Sequence, residues 1–135
     1  MIPDIFHFCY GLTEDFGGKP YSLVHYLAVK SAFELNKPVK IYFYYSYEPK
    51  GEWREKTKKL VELIKVDPPS EIFGNPLIHV AHKADILRLY VLLENGVIYM
   101  YIDTIWNNPS SPLLNNKFGH ITGKSFELFE NQLDL

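Results

Sequence analysis

Two charged side chains, Asp85 and Arg88, lie three positions apart in a segment whose apolar residues have helical spacing. Residues three apart share one face of a helix, so the carboxylate and the guanidinium are neighbours. One interpretation is an ion pair on a helix surface, which contributes little to stability. The other is a binding site, because a carboxylate accepts hydrogen bonds from sugar hydroxyls and a guanidinium binds phosphate oxygens bidentately. The spacing alone leaves both interpretations open.

A further carboxylate, Asp103, directly follows a hydrophobic run over residues 97–102. This run predicts a buried strand, and ligands of parallel α/β sheets bind at the carboxyl ends of strands. Asp103 is therefore the position at which a functional carboxylate is expected first.

The histidines His79 and His82 combine with Asp85 into a spacing that metal sites also use. Pro76 and the expected junction between a loop and a helix argue against a common helix face for the three side chains. The sequence therefore favours no metal site at these residues.

Other reactive or aromatic side chains have structural explanations. We expect His7 and His25 to satisfy hydrogen bonds in the core or in a loop, and Cys9 to act as a small buried hydrophobe. The rings of residues 42–45 could form a platform for a sugar, but cross-strand pairing in a covered strand explains them with fewer assumptions.

The elements that must position these residues alternate along the chain. Apolar spacing and turn residues predict strands over 2–10, 39–45 and 97–102, and helices over 22–36, 53–64 and 82–94. We expect loops over 13–20, 67–76 and 107–112, and a weak helix or strand from Ser125. This alternation predicts an α/β sandwich with a mainly parallel sheet, formed by residues 1–135 as a single domain.

Composition excludes several classes of protein. The 135 residues are 47% hydrophobic, which argues against disorder, and 14 Lys and Arg against 16 Asp and Glu give no basic surface for nucleic acid. The single cysteine excludes a disulfide framework and favours a reducing compartment, so we expect a cytoplasmic protein. Because no apolar stretch reaches about 18 residues, we expect no membrane span.

Three segments together resemble a known family. Residues 83–88 (KADILR) and 96–103 (GVIYMYID) are similar to the family patterns K-(A/S)-D-(I/V)-x-R and G-G-I-Y-x-D-x-D. Residues 2–7 (IPDIFH) resemble the usual first strand, I-P-K-I-I-H. The family is that of glycosyltransferases with a DXD-type sugar-binding region, which includes capsular-polysaccharide transferases, outer-chain mannosyltransferases and toxin glucosyltransferases.

The resemblance implies a Rossmann-like fold of the GT-A type, a nucleotide-sugar donor, a glycan or other acceptor, and Mn²⁺ or Mg²⁺ as cofactor. The implied reaction is metal-dependent transfer of a hexose from the donor with retention of configuration. Asp85, Arg88 and Asp103 are implied to be catalytic, with the first two at the donor sugar and diphosphate and Asp103 also as metal ligand. The implied substrate-binding residues are His82, Lys83, Tyr99 and Tyr101.

Two departures from the family pattern favour an alternative. Tyr101 stands at the leading Asp of the motif, where a neutral phenol is a poor ligand for a hard dication but can hydrogen-bond a sugar or ribose hydroxyl. The sequence also stops about 30 residues after the motif, which suggests a truncated GT-A domain. The alternative is a non-catalytic GT-A-like binding or assembly module, and a truncated sheet also suggests a homo-oligomer.

Overall fold

Four parallel strands form the central sheet of the protein. The structure is a computed structural model that describes residues 4–95 and 98–107. The strands are β1 (Ile5–Cys9), β2 (Lys40–Tyr45), β3 (Glu62–Lys65) and β6 (Ile98–Met100), in the spatial order β3-β2-β1-β6. The predicted α/β architecture with a parallel sheet is confirmed. The element expected from Ser125 lies outside the described residues, and the single domain over residues 1–135 stays a prediction.

Helices cover both faces of this sheet. They are α1 (Leu23–Asn36), α2 (Glu52–Lys58) and α3 (Val80–Asn95). Successive side chains of a strand point to opposite faces. Phe8 and Phe43 accordingly lie in one hydrophobic cluster with residues of α1, whereas Tyr44 lies in another with Leu87 and Val91 of α3. The sheet is therefore the middle layer of a three-layer sandwich.

The second predicted helix is wrong in its C-terminal half. The apolar spacing predicts a helix over residues 53–64, but α2 ends at Lys58 and residues Glu62–Lys65 form β3. Strand β3 pairs in parallel with β2, with Phe43 opposite Leu63 and Tyr44 opposite Ile64. Pairing along β2 satisfies the backbone and buries apolar side chains on both faces, which outweighs the helical spacing.

The predicted loop before α3 contains a short antiparallel hairpin. Its strands are β4 (Glu71–Ile72) and β5 (Asn75–Pro76), joined by Phe73 and Gly74 with φ angles of 50° and 77°. Positive φ at both central residues is the geometry of tight hairpin turns. Strands of only two residues leave no alternating pattern of apolar residues, so the sequence could not distinguish this hairpin from a loop.

A reciprocal capping arrangement starts α1. Ser22 is the N-cap, as predicted, and His25 occupies the third helical position. The backbone N–H of Ser22 donates to Nδ1 of His25 over 2.9 Å, so the histidine has the role that Glu or Gln usually has in a capping box. Burial lowers the pKa of His25. The positive charge of Lys19 lowers this pKa further, whereas the carboxylate of Asp103 raises it. The ring is therefore neutral at pH 7, with its proton on Nε2.

Within the described ranges, no helix combines the length and the apolar character needed to cross a bilayer.

Acid should destabilise the protein through His25. Because folding lowers its pKa from 6.5, the unfolded chain binds the proton more readily. The stabilisation is complete above the unfolded pKa and is lost as pH falls through the lower folded value. Thermal unfolding from about pH 8 to pH 5 tests this when wild type is compared with His25→Asn, which keeps an acceptor near the Nδ1 position but cannot titrate. Parallel loss of stability in both proteins would contradict the assignment.

Candidate functional site

A cleft of about 340 Å³ opens at the carboxyl ends of β1 and β6. We call it the β1–β6 cleft. Residues of α3, of the first turn of α1 and of the loop after β1 contribute to its walls. Its lining consists of Cys9, Tyr10, Phe16, Lys19, His25, Ala81, Ala84, Asp85, Arg88, Tyr99, Tyr101, Ile102 and Asp103. The structure thus brings together five residues that the sequence singled out: Asp85, Arg88, Tyr99, Tyr101 and Asp103.

Two tyrosine rings and a carboxylate hold the guanidinium of Arg88. Its carbon centre lies 4.8 Å from the ring centroid of Tyr99 and 4.8 Å from that of Tyr101. The two rings are nearly perpendicular, at 88°. One nitrogen, Nη2, lies 3.1 Å from a carboxylate oxygen of Asp85. Arg88 is therefore oriented before any ligand binds.

The predicted ion pair on the surface of α3 exists, but it also belongs to the cleft. The side chain of Arg88 is 21% exposed, whereas that of Asp85 is 57% exposed. Nε of Arg88 is buried without a hydrogen-bond partner among the described residues. The ion-pair interpretation is therefore confirmed, and the binding interpretation stays a prediction that the position of the pair in the cleft supports.

Neutral groups form the inner end of the cleft. Burial raises the pKa of Tyr99, an effect that Cys9 reinforces and Arg88 opposes. Burial likewise raises the pKa of the Cys9 thiol to about 12. A thiol that stays protonated is a poor nucleophile. Cys9 packs as a small apolar group against the cluster of Leu12 and Tyr44, as predicted, but it is half-buried and lines the cleft.

A turn after β6 presents Asp103 to the cleft. The backbone N–H and the hydroxyl of Thr104 both donate to the carbonyl of Tyr101, over 3.3 Å and 2.9 Å. Thr104 is buried, whereas Asp103 within the same turn is exposed. The carboxylate is thus held at the carboxyl edge of the sheet, where the position of the predicted strand placed it.

Lys19 and His25 also line the cleft, although the sequence did not predict them there. For His25 a hydrogen bond in the core or in a loop was expected; the ring instead accepts the backbone N–H of Ser22 at the start of α1 and lines the cleft as well. Helices that follow parallel strands begin at the carboxyl edge of the sheet. The position of His25, three residues after the N-cap of α1, could therefore have predicted that its side chain lies near the ligand site.

Two predicted substrate-binding residues do not line the cleft. His82 is exposed and its ring lies 5.4 Å from that of His79, while Lys83 is half-buried on α3. Their role in binding stays a prediction. No group of three or more His, Cys, Asp or Glu side chains that could hold a metal ion occurs in the part of the chain that the structure describes.

The charges in the cleft suit a ligand with both anionic and hydroxyl groups. The cations of Lys19 and Arg88 balance the carboxylates of Asp85 and Asp103. A smaller apolar pocket of about 190 Å³ adjoins the cleft and shares Cys9, Tyr10 and Phe16 with it. The combined space can bind an anion, hydroxyl groups and a flat apolar group next to one another.

Comparison with known proteins confirms the resemblance seen in the sequence. Residues 9–119 match the model of the glycosyltransferase sugar-binding region containing the DXD motif. The chain is also 40% identical over 117 residues to Glucan organizing enzyme 1 of Cryptococcus neoformans var. grubii serotype A (strain H99). The match covers 84% of this chain and 32% of that relative, so the chain spans about a third of its length.

No solved structure matches the chain. The family match covers most of the chain, and it includes Cys9 of β1, the Asp85–Arg88 pair and Asp103. The chain therefore belongs to the family of glycosyltransferases whose sugar-binding region contains a DXD motif.

Proposed function

We propose that the chain binds a nucleoside-diphosphate sugar in the β1–β6 cleft and transfers its hexose, with retention, to a glycan or other acceptor. The observation that supports this most directly is the convergence of Asp85, Arg88 and Asp103 on one cleft in a member of a glycosyltransferase family. The name of the cryptococcal relative refers to glucan. Glucan is therefore the polysaccharide to test first as acceptor.

Each of these residues has a distinct role in the proposal. Arg88 binds diphosphate oxygens, because its guanidinium packs on two rings and its side chain remains 21% exposed at the cleft. Asp85 orients Arg88 and accepts hydrogen bonds from the sugar hydroxyls. His82 and Lys83, which lie near the start of α3, contact parts of the substrate that extend beyond the cleft.

A divalent cation fits the cleft if the donor supplies most of its ligands. Mg²⁺ is usually bound by one or two carboxylates together with substrate phosphates and water. Asp103 is the exposed carboxylate of the cleft that makes no ion pair within the described residues, and it is the proposed ligand for Mn²⁺ or Mg²⁺. When bound, the cation neutralises charge that develops on the departing diphosphate.

A second candidate function is a non-catalytic binding or assembly module. The position of Tyr101 favours it, because the ring packs on Arg88 where the family pattern has a carboxylate. A site rebuilt around this ring keeps its anion-binding group but has one carboxylate fewer for a metal. The two functions differ in whether donor turnover accompanies donor binding.

Manganese should strengthen the binding of UDP or GDP, and Asp103→Asn should abolish this strengthening. The change removes the carboxylate charge but leaves the cleft and Arg88 in place. Calorimetry should give an affinity about tenfold or more higher with Mn²⁺ for wild type and equal affinities for the variant. Asp67→Asn, at an exposed position outside the cleft, is the matched control. A response to Mn²⁺ that survives in Asp103→Asn contradicts the metal assignment.

Tyr101→Asp should tighten the manganese-dependent binding of the same nucleotides by about tenfold, because it adds a carboxylate near Asp103. The apo protein should be less stable, since Arg88 loses one of its two rings. Tyr101→Phe keeps the ring on Arg88 and should keep the stability of the wild-type apo protein.

Calorimetry and release of nucleotide from sugar donors are the measurements for these two variants. Weaker binding by Tyr101→Asp, without a response to metal, would show that the site depends on the tyrosine. The non-catalytic module would then become the better assignment.

Self-association through α3 is a further part of the proposal. Its outer face exposes Leu89, Tyr90 and Leu93, of which Leu93 is 82% exposed. Light scattering at micromolar concentration should report a dimer or larger species for wild type and a monomer for Leu89→Lys/Leu93→Lys. Val39→Lys, at another exposed apolar residue, is the control. A monomeric wild type contradicts this part of the proposal.

A further inference from the structure

The α1 side of the β1–β6 cleft presents an imidazole whose orientation is fixed by its surroundings. The ring of His25 stacks on that of Tyr21 with centroids 5.2 Å apart and lies 4.9 Å from that of Tyr10. Both hydrogen bonds that the ring makes within the described chain use Nδ1, which lies 2.9 Å from N and 3.1 Å from Oγ of Ser22. A flip of the ring would therefore break the capping hydrogen bond at the start of α1.

This fixed orientation determines which atom the ring offers to a ligand. Because Nδ1 accepts the backbone N–H of Ser22, the proton of the neutral ring is on Nε2. Nε2 is the polar atom on the ring edge away from the cap, and the side chain lines the cleft. His25 can thus donate a hydrogen bond to an oxygen bound there.

Lys19 adds a positive charge on the same side. The hydroxyl of Tyr10 donates to the carbonyl of Lys19, which fastens the loop after β1 next to the ring. Tyr10 therefore contacts both residues, His25 through its ring and Lys19 through its hydroxyl. A donor and a cation side by side suit an oxyanion, as does Arg88, which α3 contributes to the same cleft.

We propose that His25 Nε2–H and Lys19 bind a diphosphate oxygen of the donor from the α1 side of the cleft, while Arg88 binds the diphosphate from α3. This inference rests on the proposed function and adds a second group of phosphate ligands to it. The His25 ring is then a binding residue that also caps a helix, so its two nitrogens have separable roles.

Two substitutions separate these roles. His25→Asn keeps an acceptor near Nδ1 for Ser22 and removes Nε2. It should bind UDP and GDP in the presence of Mn²⁺ about tenfold more weakly with little change in melting temperature. His25→Gln supplies an amide oxygen that can accept the backbone N–H of Ser22, as Gln does in a capping box, and an N–H near the Nε2 position. It should bind within about threefold of wild type and keep the wild-type melting temperature.

Calorimetry and thermal unfolding of the full 135-residue chain supply both readouts. Lys19→Gln should weaken binding and reduce its dependence on salt. Wild-type affinity in His25→Asn, together with loss of binding in Arg88→Gln, overturns this inference and leaves the proposed function standing. Equal weakening in His25→Asn and His25→Gln also overturns it, because the conservative variant then fails to restore the contact. A wild type that binds neither UDP nor GDP overturns both proposals.

Discussion

Parallel pairing of β1 with strands on both sides is the constraint on which the rest of the molecule depends. Phe8 lies opposite Phe43 of β2 and opposite Met100 of β6, so all three strands run in register towards one edge of the sheet. That edge carries Tyr10 after β1 and Asp103 after β6. Because parallel strands need crossover connections, the starts of α1 and α3 are brought to the same edge. Residues far apart in sequence therefore share one cleft.

Arg54 and Arg88 both pack on aromatic rings, but they differ in burial and therefore in role. Arg54 is fully buried over Phe43, and its Nη2 lies 3.7 Å from a carboxylate oxygen of Glu48. Because Arg54 is inaccessible to a ligand, its role is to pack α2 against the sheet. Arg88 also lies on aromatic rings, but it remains 21% exposed at the cleft. A guanidinium held in this way loses little freedom on binding an anion, and that favours affinity.

Stability and ligand binding are linked at the start of α1. The capping hydrogen bond from Ser22 fixes the same ring that lines the cleft, so protonation of His25 affects the helix and the site together. The turn of Thr104 and Tyr101 is a second such link, because it fixes Asp103 and also holds the ring that covers Arg88. The cleft is therefore built from groups that folding has already positioned, which reduces the reorganisation that ligand binding requires.

Local patterns in the sequence determined the alternation of elements, the cap at Ser22 and the position of Asp103 after a strand, because each depends on neighbouring residues. The resemblance to the glycosyltransferase family could also be seen in the sequence, because residues 83–88 and 96–103 together form a pattern that is specific for that family. Tertiary structure alone decided that residues 62–65 form a strand, since the open edge of β2 offers pairing that no local spacing reveals. It alone also brought His25 and Asp103, which are far apart in the sequence, into one cleft. The crossover connections and the parallel register place the start of α1 and the end of β6 at the same edge of the sheet.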